Sequence, residues 1–429
     1  MQQIASQNAP SPSVVIPHYV FGGLSLLIAS ILIVCYPDAF NQHYFNPRLL
    51  SITHLLVLGW ITMIIFGALY QLLPVIMEVK LNSEVLARIS FWLMATGTIM
   101  LSYAFWQFSF GSLMFVAGTL IVMSVFLFVL NVIKTAKQSV KNTIERLFIL
   151  SSAYWLMFTV MAGLTLAVNL SMPFLNVSHL ELLKLHAHAG LVGWFIQLII
   201  GVSCKLLPMF MVSHHVKTGI LHYTFWSMNL GLILGIVALY VQIHGFVIVS
   251  AVLVVSGIVI YLRFLLDAYR KRVKKQLDIG MRQSAFSYAI LLIPMILVFL
   301  LLFRFDFLES LTIQLSITYG TAIVIGFITS LVMGQTYKTL PFIVWLKIYR
   351  GKVGRVVLPL PKDLYSEKAA VAQVWLYGLG ILVLLVGIAA AIKGVVLLGG
   401  IILLLSTLLY NFSIFKIVLH KPTQKSDHK

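Results

Sequence analysis

One apolar helix pattern occurs three times along this chain, and that recurrence limits its fold more than any other feature. The first copy reads His54-Leu-Leu-Val-Leu-Gly59-Trp60, followed by Gly67 and by Leu72-Leu73-Pro74. The second reads His186-Ala-His188-Ala-Gly-Leu-Val-Gly193-Trp194, followed by Gly201 and by Leu206-Leu207-Pro208. Every spacing from His54 to Pro74 recurs 134 residues later, from His188 to Pro208. A third copy keeps Gly326, Phe327, Gly334 and Leu340-Pro341, with Thr321 where the histidine would stand. A second motif moves in step with the first. Phe91-Trp92-Leu-Met94-Ala-Thr-Gly97 is matched by Phe225-Trp226-Ser-Met228-Asn-Leu-Gly231, and Trp375 to Gly380 keeps the same five-residue step. The last arrives late because an insertion that includes Leu-Pro-Leu-Pro361-Lys precedes it.

These copies sit in a chain that is 60% hydrophobic and only 10% charged, which excludes a soluble core. Crossing a bilayer takes about 20 apolar residues of helix. Twelve stretches qualify, at roughly 16–36, 50–76, 89–107, 112–133, 148–169, 186–212, 222–243, 246–268, 285–303, 312–342, 370–392 and 395–419. Met1 to Ile16 carry no Lys or Arg, so they lack the basic start of a cleaved signal peptide. The expected fold is an all-α integral membrane domain over 1–429, with twelve transmembrane helices. They group as three four-helix repeats, approximately 16–133, 148–268 and 285–419. Repeated units place equivalent helices around a pseudo-symmetry axis. Four spans per unit give every unit the same membrane orientation, so this pseudo-threefold axis runs along the membrane normal. The second, sixth and tenth spans become equivalent. Their glycines, eight apart, suit close helix approach, and their prolines close or kink the helix. Packing explains both better than catalysis does.

The net charge of +18 is distributed unevenly. Loops after even-numbered spans are basic, as at Lys134 to Arg146, Arg270 to Lys275 and Lys347 to Lys368. Loops after odd-numbered spans hold only Arg48, Lys184, Arg304 and Lys393. The positive-inside rule then puts both termini in the cytoplasm, in an inner cell membrane. Anionic lipid headgroups, rather than nucleic acid, are the partner for this charge. Cys35 and Cys204 fall at opposite ends of the membrane and do not pair, and no Cys-x-x-Cys-His marks covalent haem attachment.

An ionisable side chain within a span is a functional hypothesis by default. His54 and His188 begin their spans at equivalent heights on the outer side. Neutral imidazole ligates haem iron well, and bis-histidine ligation suits electron transfer. Two symmetry-related helices can present His54 and His188 to opposite faces of one porphyrin. His186 and His188 are two residues apart, about 200° around a helix, so they serve neighbouring sites rather than one ion. His43, His179 and His244 lie in outer loops or at a span end, where copper or haem propionates are their candidate partners. His214, His215, His222, His420 and His428 read as cytoplasmic surface. His18 reads the same way, at the inner start of the first span.

Twelve spans in three four-helix units, with His54 on the second span and His186-Ala-His188 on an equivalent one, resemble the haem-copper oxidase subunit I superfamily. That group includes the large subunits of cytochrome c oxidase and nitric oxide reductase, and the NnrS-type haem proteins. The resemblance covers the whole membrane region. It implies a non-covalent b-type haem clamped by His54 and His188, His186 facing a second metal group, haem iron or copper, and an electron-donating protein or further oxidase-like subunits as partners. The implied activity is reduction of oxygen or a nitrogen oxide. In the family the His-x-His lies on the tenth span; here it lies on the sixth, and the only adjacent pair, His214-His215, falls on the other side. The alternative within the family is a haem protein of nitric oxide response or respiratory-complex assembly, without turnover. A secondary transporter is the alternative of another class. All twelve acidic residues lie in loops or at span ends, so the buried carboxylate that either a proton pump or an ion-coupled transporter needs is missing. Lys205 and Lys338 occupy equivalent positions, three residues before each proline. They read as lysines snorkelling to the interface, with proton entry as the sharper alternative.

Overall fold

The computed structural model describes residues 8–303, 305–353 and 357–422. Among the described residues, twelve helices are long and apolar enough to cross a membrane: Pro12–Cys35, Pro47–Met77, Glu84–Trp106, Ser112–Lys137, Ile144–Ser171, His179–Met211, Leu221–Ala238, His244–Arg270, Ile279–Phe303, Leu308–Lys352, Glu367–Ala389 and Lys393–Val418. They match the twelve apolar stretches one for one. Several begin a turn before the stretch does, because a polar cap rather than an apolar residue starts the helix. Ser83, Thr143, Asp278 and Ser366 each accept the backbone N–H three residues on, satisfying one of the donors that a helix start leaves open.

Burial separates the helices into two classes. The second, sixth and tenth are 72–83% buried over their apolar windows, whereas the other nine are 17–50% buried. The three buried helices therefore form the centre, and the nine others expose apolar side chains to lipid. Around the centre, the third and fourth, seventh and eighth, and eleventh and twelfth helices pack as pairs, while the first, fifth and ninth lie against the second, sixth and tenth. Trp92, Trp226 and Trp375 all point outward near the starts of their helices, where an indole suits the membrane interface.

Each central helix has a histidine end and a proline end. Next to His54, His188 and Thr321 each helix widens into an eight-residue π segment, at Leu55–Thr62, Ala189–Ile196 and Ala322–Thr329. At the proline end the helices instead press together. A Cβ on Gly67 would lie 2.6 Å from His18 Cβ, one on Gly201 2.6 Å from Phe148 Cβ, and one on Gly334 2.6 Å from Gly280 O. Glycine is required at all three by this contact.

The prolines sit inside their helices. Two helices stop three residues later, at Met77 and Met211, where Glu78 and Val212 turn left-handed with φ of 58° and 52°. The tenth helix instead runs on past Pro341 to Tyr349, with Trp345 donating to Pro359 O at 2.6 Å and Tyr349 meeting His420 at 2.8 Å. Ser11 and His420, bonded to Glu84 and Tyr349, place the first and last described segments at the proline end. One proline-end residue differs from expectation. His18 is fully buried rather than at the surface, packed on Tyr70 and Phe91, because Gly67 leaves room for it. Lys338, at the proline end as expected, pairs with the cap of the ninth helix: its Nζ lies 2.5 Å from Asp278 Oδ2 and 4.9 Å from the Phe210 ring centre. Lys205 remains exposed.

Candidate functional site: the histidine-end cavity

Beside the widened ends of the central helices lies a cavity of about 1240 Å³. Its lining is largely Leu, Val, Ile and Phe from the second to the tenth helices, with His54, His186, His188, Tyr319 and Thr321 among its polar groups and Glu181, Lys184, Asp306 and Glu309 among its charged ones. That volume exceeds the roughly 300–1,000 Å³ of a pocket for a drug-sized molecule. A π segment directly beside each histidine is in keeping with the functional placement of π turns in other proteins.

Each of the three histidines is held through Nδ1. His54 Nδ1 lies 2.8 Å from Leu50 O, His188 Nδ1 2.8 Å from Lys184 O, and His186 Nδ1 3.0 Å from Thr159 O on the fifth helix. A carbonyl only accepts, so each Nδ1 carries the proton and donates it. The lone pair of the neutral ring is then on Nε2, the nitrogen left for a metal. Metal-ligating histidines are oriented by this kind of second hydrogen bond. His54 is further fixed by stacking on Phe105, ring centres 4.5 Å apart. His188 Nε2 lies 3.2 Å from the Tyr319 hydroxyl on the tenth helix.

The other histidine-end candidates divide by the same test. His43 Nδ1 accepts from Phe45 N at 3.1 Å, so its proton is on Nε2 and the ring has no free lone pair. His244 Nε2 donates to Leu302 O at 3.1 Å, which turns its remaining lone pair to Nδ1. His179 lines the cavity, with a buried Nδ1 that meets no protein partner. No three His, Cys, Asp or Glu side chains converge on a bare metal ion among the described residues, so an independently held copper has no ligand set there. A haem needs only axial ligands from the protein, and His54, His186 and His188 fit that requirement. Arg304 falls outside the described residues. Of the other basic groups at this end, Lys184 pairs with Glu181 and Lys393 with Asp38, and Arg48 lies over the Tyr36 ring.

Tyr319 is the residue that sequence reasoning missed. Thr321 drew attention as the missing histidine, but Tyr319 two residues earlier stands in register with His186, 133 residues on. Tyr319-Gly-Thr321 thus replaces His186-Ala-His188. Reading the pattern as a two-position signal rather than one would have found it. No protein-family model matches the chain, and no curated protein matches it in sequence.

Proposed function

We propose that this chain is a haem-binding redox protein of the cell membrane, built as three four-helix units around an axis along the membrane normal. The observation that carries the reading is the set of three histidines with Nδ1 tied to backbone carbonyls, two of them, His54 and His186, with no protein partner at Nε2 among the described residues, in one largely apolar cavity. Support for the threefold plan comes from the three π segments, the three glycine contacts and the three outward tryptophans, each set at equivalent positions. The basic proline end then faces the cytoplasm, with both termini. Bound haem supplies an iron that takes up and releases single electrons. The chain's own part is to orient the imidazoles, to exclude water with Leu, Val and Phe, and to hold the ligand in the membrane half away from the cytoplasm.

The likeness to the haem-copper oxidase large subunit belongs to this proposal. The ligand set favours haem binding and electron transfer over a complete oxygen-reducing centre, since no further ligands assemble beside it among the described residues. Electrons then come from a partner, and any reduction of oxygen or a nitrogen oxide takes place at the histidine end. The test is the visible spectrum of protein purified from haem-replete cells. Sharp reduced bands of a bis-histidine haem are expected. A colourless protein would overturn the proposal.

A further inference from the structure

We infer that His54 and His186 form the bis-histidine pair for one haem, and that His188 belongs with Tyr319 to a separate polar site on the other side of the sixth helix. This rests on the haem reading above, and it replaces the pairing of His54 with His188 that the resemblance implies.

Two residues of helix turn the two rings of His186-Ala-His188 to different sides. His186 turns to the fifth helix, where Thr159 O holds its Nδ1 at 3.0 Å. Gly163, one turn on, makes space for it: a Cβ there would stand 2.9 Å from His186 Cε1. His54 stacks on Phe105 of the third helix. The third to fifth helices are the chain's path from the second helix to the sixth, and their residues line the cavity beside both rings. His188 is turned to the tenth helix instead, and its Nε2 is taken up by the Tyr319 hydroxyl at 3.2 Å, the rings inclined by only 28°.

The repeat register makes the same assignment independently. His54 stands in register with His188, and His186 with Tyr319. The observed pair across the sixth and tenth helices, His188 with Tyr319, is therefore the counterpart of His54 with His186 across the second and sixth. The third such pair, Thr321 with Ile52 across the tenth and second, has no metal ligand at all. The three interfaces thus form a series: two imidazoles, one imidazole with a phenol, and none. Only the first offers two imidazoles as candidate ligands.

The experiment compares low-spin haem signals, by electron paramagnetic resonance and reduced visible bands, in His54→Ala, His186→Ala, His188→Ala and Tyr319→Phe. The first two are expected to lose the bis-histidine signal, with haem affinity falling at least on the order of 100-fold, the upper end of what loss of a mere orienting partner costs. His188→Ala and Tyr319→Phe are expected to keep it. Methionine variants guard against misfolding, since His/Met ligation retains the haem and raises its potential. His186→Met should show that change and His188→Met should not. A signal that survives His186→Ala and vanishes in His188→Ala would overturn the pairing while leaving the haem reading intact. A colourless wild-type protein would overturn both.

Discussion

The two ends of the same three helices solve opposite problems. At the proline end, Gly67, Gly201 and Gly334 bring neighbouring backbones so close that a methyl group would overlap a neighbour. Asp278 and Lys338 add an ion pair between the ninth and tenth helices there. At the histidine end, π turns widen each helix and a cavity of about 1240 Å³ opens between them. Van der Waals packing is the main force that joins helices in lipid, where burial of apolar surface gains nothing. Close glycine contacts, which continue at Gly193 and Gly326 within the π segments, hold the bundle together around a ligand-sized space at the histidine end. Under the proposed function, chemistry belongs to the histidine end.

That division can be broken by substitution. The largest effect is expected from Gly334→Ala, whose new methyl would meet Gly280 O at 2.6 Å and Ser284 N at 3.2 Å. Backbone must move, so a loss of about 3 kcal/mol, the upper end of overpacking costs, is expected in detergent unfolding. Next comes Asp278→Asn, which strips Lys338 and Lys274 of their carboxylate. Breaking a fully buried pair costs about 3–5 kcal/mol, and this pair is partly exposed, so about 1–3 kcal/mol is expected.

The same carboxylate gives a pH signature. Burial pushes Asp278 up, but hydrogen bonds from Lys338 and Lys274 outweigh it and hold the carboxyl below its ordinary value. A depressed carboxylate stabilises the fold fully above the unfolded value of about 3.9, and the contribution disappears as pH falls through the lower folded value. Melting curves of wild type and Asp278→Asn should differ at neutral pH and converge in acid. A gap independent of pH would place the stabilisation elsewhere. The smallest effect is expected from Gly320→Ala, at the cavity, where an added Cβ meets nothing within 4 Å. Helix propensity alone predicts a gain of roughly 0.5–1 kcal/mol. A large loss there would show that the space beside Gly320 is filled.

Much of the architecture was legible from residue order. Apolar length located all twelve helices, because a bilayer leaves the chain little choice. The boundaries were less legible, since caps such as Ser83 and Asp278 are polar and lie outside any apolar count. The histidines that line the cavity also stood out in the sequence, because ionisable groups are rare in spans. Their partners were not. That His186 bonds to Thr159 and His188 to Tyr319 depends on which helices become neighbours, which spacing along one helix does not contain. His18 was misread for the same reason: its burial comes from Gly67 on another helix.

The most direct test of the account is a haem titration of protein prepared from haem-deficient cells, followed by absorbance and melting temperature. The wild-type chain should bind haem saturably and gain stability, about 2.7 kcal/mol when free haem is a hundred times Kd. The double variant His54→Ala, His186→Ala should melt at the temperature of the haem-free wild type and gain nothing on adding haem. Saturable binding by the double variant equal to that of the wild type, or none by the wild type, would contradict the assignment of chemistry to the histidine end.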